Sequence, residues 1–222
     1  MSRTIDLEKI ERKTTRSNYE DGLFDIQLGM LLLATGVLHL VFPDWSGTTI
    51  QRMGLWSGIA VAGLVLWAVG KRFISLPRMG RVKPGPAGRA RLRKITTFMS
   101  ITFLLTVAVV AVTALSGSGR LGLARPISLG EWAVPAGVAI FLVLLFGVLA
   151  YFLAYERLAL IGLFFALPWL IVEAVERTTG VDISAAAFLS ASGIVLLMGV
   201  ITFIHFLQRN PVPADSTLPG TQ

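Results

Sequence analysis

Six long apolar runs, separated by polar connections, decide what this chain can fold into: residues 23–42, 53–69, 95–115, 133–154, 158–175 and 185–207. A helix crossing a bilayer needs about 20 mostly apolar residues. In lipid every backbone polar group must be paired within its own segment or within a closed barrel. Continuous runs of this length, rather than short alternating ones, select helices. The expected fold class is therefore all-α, a polytopic transmembrane helical bundle with six spans. The run at 53–69 is the shortest, and Pro168 is expected to kink or loosen the fifth helix. Composition agrees with a bilayer: 54% of residues are hydrophobic and 15% charged, against about 45–50% and about 25% in soluble domains.

Orientation follows from the basic residues, which concentrate in cytoplasmic loops. Sixteen Lys and Arg fall on one side of the predicted membrane and four on the other. The larger group lies in the N-terminal arm, in the connection 71–94, and at Arg157 and Arg209. Both termini are thus expected in the cytoplasm, at the inner (plasma) membrane. Tyr151 and Tyr155 are expected at the cytoplasmic interface, and Trp45 and Trp132 at the opposite one. The chain divides into a cytoplasmic arm (1–22), a transmembrane domain (23–207) with its basic loop (71–94), and a tail (208–222) expected to be disordered. The arm reads as a short interfacial helix or ordered segment anchored by Ile5, Leu7 and Ile10. Its charge, and the lack of a small-residue cleavage site, do not match a secretory signal peptide.

Net charge is +7, which in a soluble protein would suggest nucleic acid. Here the topology accounts for it, and no nucleic-acid partner is expected. There is no cysteine and only two histidines, His39 and His205. Disulfides, thiolate metal sites and cysteine nucleophiles are therefore excluded. The two histidines fall at opposite ends of the predicted bundle, so no metal site and no cofactor are expected. Neither a P-loop, a GxSxG, an HExxH nor a dinucleotide fingerprint occurs. The glycine-rich stretch 117–122 follows a predicted membrane helix outside the cytoplasm and reads as a flexible connection.

The first apolar run carries the most chemistry. Asp25, Gly29, Leu32, Gly36 and His39 recur at helical spacing and share one face. A charge within a span is costly in lipid, so this stripe should face protein. Asp25 reads either as a helix-start anion, with Asp21 as N-cap, or as part of an ion or proton pathway. His39, roughly 21 Å away along the helix, reads as a packed interface histidine or a titrating one. Glu173 is the second candidate for an ion or proton pathway. It also stands four residues before Arg177, the favourable order for a helical ion pair. Gly54, Gly58 and Ala62, and likewise Thr102, Thr106 and Thr113, read as helix-packing features.

The connection 71–94 holds nine basic residues and no acidic one, and Pro77, Pro84 and Pro86 are expected to break any long helix there. Anionic lipid headgroups are its expected partners, with Arg89, Arg91, Arg93 and Lys94 in contact. Asp21 and Asp25 should lie at the level of Arg78 and Arg81, which suggests a cytoplasmic clamp between the start of the first helix and this loop.

Residues 19–29, Tyr-Glu-Asp-Gly-Leu-Phe-Asp-Ile-Gln-Leu-Gly, together with Leu76-Pro77-Arg78-Met79-Gly80, resemble a group of uncharacterised prokaryotic integral membrane proteins. These share an Asp-Gly-Leu-x-Asp opening of the first helix and a basic loop with Pro-Arg-x-Gly. The resemblance covers the first 90 or so residues. It implies Asp21, Gly22, Asp25, Pro77, Arg78 and Gly80 as positions of interest, and it implies no activity. The functional expectation is a non-enzymatic accessory or structural membrane protein or complex subunit, with a homo-oligomer or a protein partner. The alternative is a small transporter or channel using Asp25 or Glu173. An enzyme acting on lipid would need polar groups converging at one depth, and none can be assembled.

Overall fold

A computed structural model describes residue 19 and residues 21–43, 46–79, 90, 93–102, 104 and 132–211. The arm before Tyr19, the loop residues Gly80, Arg81, Arg89 and Arg91, Trp45, Thr106, Thr113, and the tail beyond residue 211 lie outside the described residues. Among the described residues every regular element is helical. The five main helices are α1 (Leu23–Val41), α2 (Thr49–Gly70), α3 (Ala133–Leu153), α4 (Arg157–Thr179) and α5 (Ser184–Arg209). Each is long and apolar enough to cross a bilayer, and the chain is a multi-pass membrane protein. Residues 93–102 are helical too. They fall at the start of the expected span at 95–115, most of which lies outside the described residues.

Both boundaries of α2 differ from the sequence expectation. α2 begins four residues early because Thr48 and Gln51 form a capping box: Thr48 Oγ1 accepts from the Gln51 N–H at 3.3 Å, and Gln51 Oε1 accepts from the Thr48 N–H at 2.9 Å. This satisfies two otherwise unpaired groups at the helix start. At its other end α2 does not stop at the charged pair Lys71 and Arg72. It widens into a π-helical turn, Lys71–Ser75, and continues as Leu76–Met79, so Pro77 sits within helix instead of ending it. Pro168 likewise lies inside an unbroken α4.

α1 is the central element. It packs along α5 and α2, while α3 packs on α4, and α4 makes a thinner contact with α5 and α1. Three helices (α2, α1, α5) and one helical pair (α3, α4) thus meet at a seam. A core of Leu28, Leu32, Phe146, Leu158, Ile161, Phe188 and Val195 runs across that seam. The expected stripe on α1 does face protein: Asp25, Leu32, Gly29 and Gly36 are buried. A Cβ at Gly29 would lie 2.7 Å from Leu196 Cγ, and one at Gly36 would lie 2.9 Å from the Leu189 backbone nitrogen. Such close helix approach is how small residues hold bundles together in lipid. On α2 the tight glycines are Gly63 and Gly70, against Met30 and Leu23 of α1. At the expected packing glycines Gly54 and Gly58, a Cβ would have nothing within 4 Å among the described residues.

Candidate functional site: a polar ring at one end of the bundle

The start of α1, the finish of α2, the turn between α3 and α4, and the finish of α5 gather at one end, termed proximal here. Gly22 makes the close approach possible. Its φ of 75° lies in the left-handed region, and a Cβ there would stand 2.5 Å from the Gly199 carbonyl oxygen. Only glycine meets both conditions cheaply. The preceding Asp21 is fully buried. Its Oδ1 accepts from the Leu23 N–H at 3.3 Å, and its Oδ2 meets Lys71 Nζ and the Ser75 hydroxyl, each at 2.7 Å. Lys71 and Ser75 are both supplied by the widened turn, which turns both side chains onto one carboxylate. π-Turns of this kind are frequent where a helix is shaped for a particular contact.

Asp25 is also fully buried. Its Oδ1 accepts from the Tyr155 hydroxyl at 2.6 Å, while its Oδ2 is buried with no hydrogen-bond partner among the described residues. Tyr155 lies in the short connection between α3 and α4. There Ala154 takes a left-handed φ of 52° and the Tyr155 N–H closes onto the Ala150 carbonyl at 3.0 Å, which turns the ring inward. Burial first, and then the Asp25 carboxylate, push the Tyr155 phenol above its ordinary range. Two residues on, Arg157 Nη1 donates to Thr202 Oγ1 of α5 at 2.7 Å, and the Thr202 hydroxyl donates in turn to the Met198 carbonyl at 2.8 Å. Arg157 is also within electrostatic reach of Asp25. Finally, Arg78 Nη1 donates to the carbonyls of Leu207 and Asn210, at 3.3 and 3.0 Å, at the end of α5. Free carbonyls at a helix C-terminus attract a cation.

These ties close a ring: α1 to α2 through Asp21, α2 to α5 through Arg78, α5 to α4 through Arg157, and α4 to α1 through Tyr155. The expected clamp therefore has different partners from those inferred from charge alone. Asp21 and Arg78 both serve it, but Arg78 engages α5 and Asp25 engages Tyr155, so the structure does not pair Asp25 with Arg78. Arg81 lies outside the described residues. Tyr155 is 3% exposed where Tyr151 is 80% exposed, so only Tyr151 suits an interfacial belt. Sequence reasoning missed Tyr155, Arg157, Thr202, Lys71 and Ser75 as site residues. A tyrosine and an arginine just past an apolar run were the available signal, but an ordinary interfacial role explained them equally well.

Among the described residues, ring contacts and an ion pair mark the opposite, distal end. Glu173 pairs with Arg177 one turn on, as the spacing suggests, and the Arg177 guanidinium lies 5.2 Å over the Trp132 ring. His39 stacks on Phe188 at 5.6 Å, and Trp169 meets the same ring edge-on at 5.5 Å. Asp182 accepts from the Ser184 N–H at 2.7 Å, and the Ser184 hydrogen bonds hold its carboxyl below the usual carboxylate range. Asp25 and Glu173 thus stand at opposite ends of the bundle. Arg93 and Lys94 are exposed. Among the described residues no three His, Asp or Glu side chains converge as metal ligands. No protein-family model, curated protein or solved structure matches the chain.

Proposed function

We propose that this is a non-enzymatic accessory or structural protein of the plasma (inner) membrane, acting as a scaffold or complex subunit with both termini in the cytoplasm. The observation that carries this reading is the closed polar ring. It commits the carboxylates, the hydroxyls and three of the basic groups at the proximal end to fixing four helix ends to one another. Buried charges paired in this way are stations of fixed geometry. Glu173 is likewise engaged by Arg177 at the far end, so the two carboxylates best suited to a transport path are each committed within the chain. The scaffold presents the apolar outer faces of α2 and α3 to lipid or to a membrane partner, another copy included. Arg93 and Lys94, with the rest of the basic loop, take anionic lipid headgroups.

A second reading, a small transporter or channel, draws on one observation: the buried Oδ2 of Asp25, which has no partner among the described residues. Flux of protons and a panel of ions in proteoliposomes separates the two. The scaffold reading expects no flux from the parent and none from Asp25→Asn or Glu173→Gln. Flux in the parent, lost in one variant that still folds, would replace it with the transporter.

A further inference from the structure

The α4–α5 pair has an outer face that the ring does not use, and the proximal mouth of that face carries charge. Arg157 opens α4 and Arg209 closes α5, so both stand at the ends of spans, and both are exposed. The Arg157 side chain reaches across to α5, where buried Thr202 accepts from Nη1 at 2.7 Å and is itself held by the Met198 carbonyl at 2.8 Å. On its inner side Arg157 also meets Tyr155 and lies within electrostatic reach of Asp25. The remaining N–H donors of the guanidinium are left for its exposed side. Arg209 stands two turns after Thr202 on the same side of α5. Helical side chains lean toward the N-terminus, which carries its guanidinium back toward Arg157. Exposed His205 stands between them, and exposed Glu156 is the neighbouring carboxylate. Below this mouth the face turns apolar. Leu160 and Leu167 of α4, and Ile194 and Ile201 of α5, are exposed. Each pair shares one line along its helix, and both lines flank the contact marked by Arg157 and Thr202. α1 occupies the other flank of α5, through Leu189 and Leu196. From Arg157 to Leu167 the face runs roughly 15 Å, about half of a hydrocarbon core some 30 Å thick.

We propose that this face binds one anionic phospholipid of the proximal leaflet, its phosphate between Arg157 and Arg209 and an acyl chain along the groove between the two apolar rows. Basic pockets between spans are where anionic headgroups settle. Arginine suits a phosphate because its fork of donors matches the oxygens. The anchor on Thr202 matters too, since a guanidinium already held in place loses little side-chain freedom on binding. Charge decides the class of lipid. Two arginines against Glu156 favour a headgroup of net negative charge over a zwitterionic one, whose amine would bring another positive charge into the site. The site uses none of the residues of the basic loop. It is also independent of the scaffold reading, since a subunit and a transporter would hold such a lipid equally.

The chain has no cysteine, so a single fluorophore reports one position in the full-length protein. Leu197→Cys lies beside the groove, between the levels of Ile194 and Ile201, and Phe141→Cys on the outer face of α3 serves as control. Both positions are exposed and stand twelve residues from the proximal ends of their helices, so depth is matched. The protein is placed in nanodiscs of phosphatidylcholine. Quenching by a minor fraction of phosphatidylglycerol, spin-labelled near the chain end, is compared with quenching by phosphatidylcholine labelled in the same way. The expected result is a preference of about tenfold for phosphatidylglycerol at Leu197→Cys and none at Phe141→Cys. Arg209→Gln should lower that preference about fivefold, the effect of one basic group beside an anionic lipid. Thr202→Val, which keeps both arginines, should lower it as well. Arg93→Gln combined with Lys94→Gln should leave it unchanged. Equal quenching by the two lipids at Leu197→Cys overturns the proposal. So does a preference that appears equally at Phe141→Cys, survives Arg209→Gln, or falls with the loop variant. Arg209 takes no part in the ring, so its variant decides the matter even if Thr202→Val folds poorly.

Discussion

Where α1 meets α5, Gly22, Gly29, Gly36 and Gly199 let two backbones approach until a methyl group would collide. Where α4 meets α1 and α5, contact is thinner and is closed at the proximal end by a hydroxyl, a guanidinium and a carboxylate. The first interface relies on shape, with dispersion summed over many close atoms. It tolerates no alternative arrangement, because close-packed interiors are not continuously deformable. The second joins a buried apolar core of Leu28, Leu32, Leu158, Ile161 and Val195 to a few directional bonds, which are strong in a low dielectric. One bundle thus contains a seam closed by glycine approach and a seam closed by polar bonds.

The sharpest way to break this contrast is at Gly22. Gly22→Ala combines left-handed strain of about 1–2 kcal/mol with overpacking of about 1–3 kcal/mol. Loss of most folded protein is expected, read as recovery of monodisperse material in detergent. Recovery equal to the parent's would show that the glycine interface is looser than its geometry. Next comes the polar seam. Tyr155→Phe leaves Asp25 Oδ1 bare and should destabilise by about 1.5–3 kcal/mol, the worth of a hydrogen bond to a charged group, measured by reversible denaturation in mixed micelles.

The same tyrosine gives the seam a pH signature. Its phenol is held above its ordinary range, so the folded state keeps the proton where the unfolded chain releases it. That contribution is fully present below about pH 10, the unfolded value, and is lost as the pH rises beyond it. The parent should therefore lose stability in alkali more steeply than Tyr155→Phe. Parallel curves would remove Tyr155 from the buried network.

Smaller effects sharpen the comparison from outside it. Glu173→Gln should cost about 0.5 kcal/mol or less, since the pair with Arg177 is a partly exposed helical one. Gly54→Ala and Gly58→Ala should be neutral, or stabilising by up to about 1 kcal/mol from helix propensity, because nothing described lies near them. A large loss at either position would reveal a partner on that face of α2.

Much of this arrangement was legible in the chain. The apolar runs gave the helices, and the spacing of Asp25, Gly29, Leu32 and Gly36 gave the buried face of α1. The spacing of Glu173 and Arg177 gave their pair. Each is a local periodicity, visible because one helix fixes it. The features that local spacing did not show all depend on two elements at once. Gly54 and Gly58 carry the small-residue pattern, yet α1 packs on Gly63 and Gly70. Lys71 looked like the end of a span, yet a widened turn carries it and Ser75 onto Asp21.

The sequence by itself determined that the chain is a helical membrane protein, with its charges gathered beside the ends of particular spans. Hydropathy and the need to pair every backbone polar group in lipid leave little else open. Tertiary structure alone decided which carboxylate meets which donor. Asp25 and Tyr155 are 130 residues apart, and no local spacing could join them. Their meeting follows from the turn at Ala154, the glycine approach of α5 to α1, and the low dielectric that makes a carboxylate without any donor untenable at that depth.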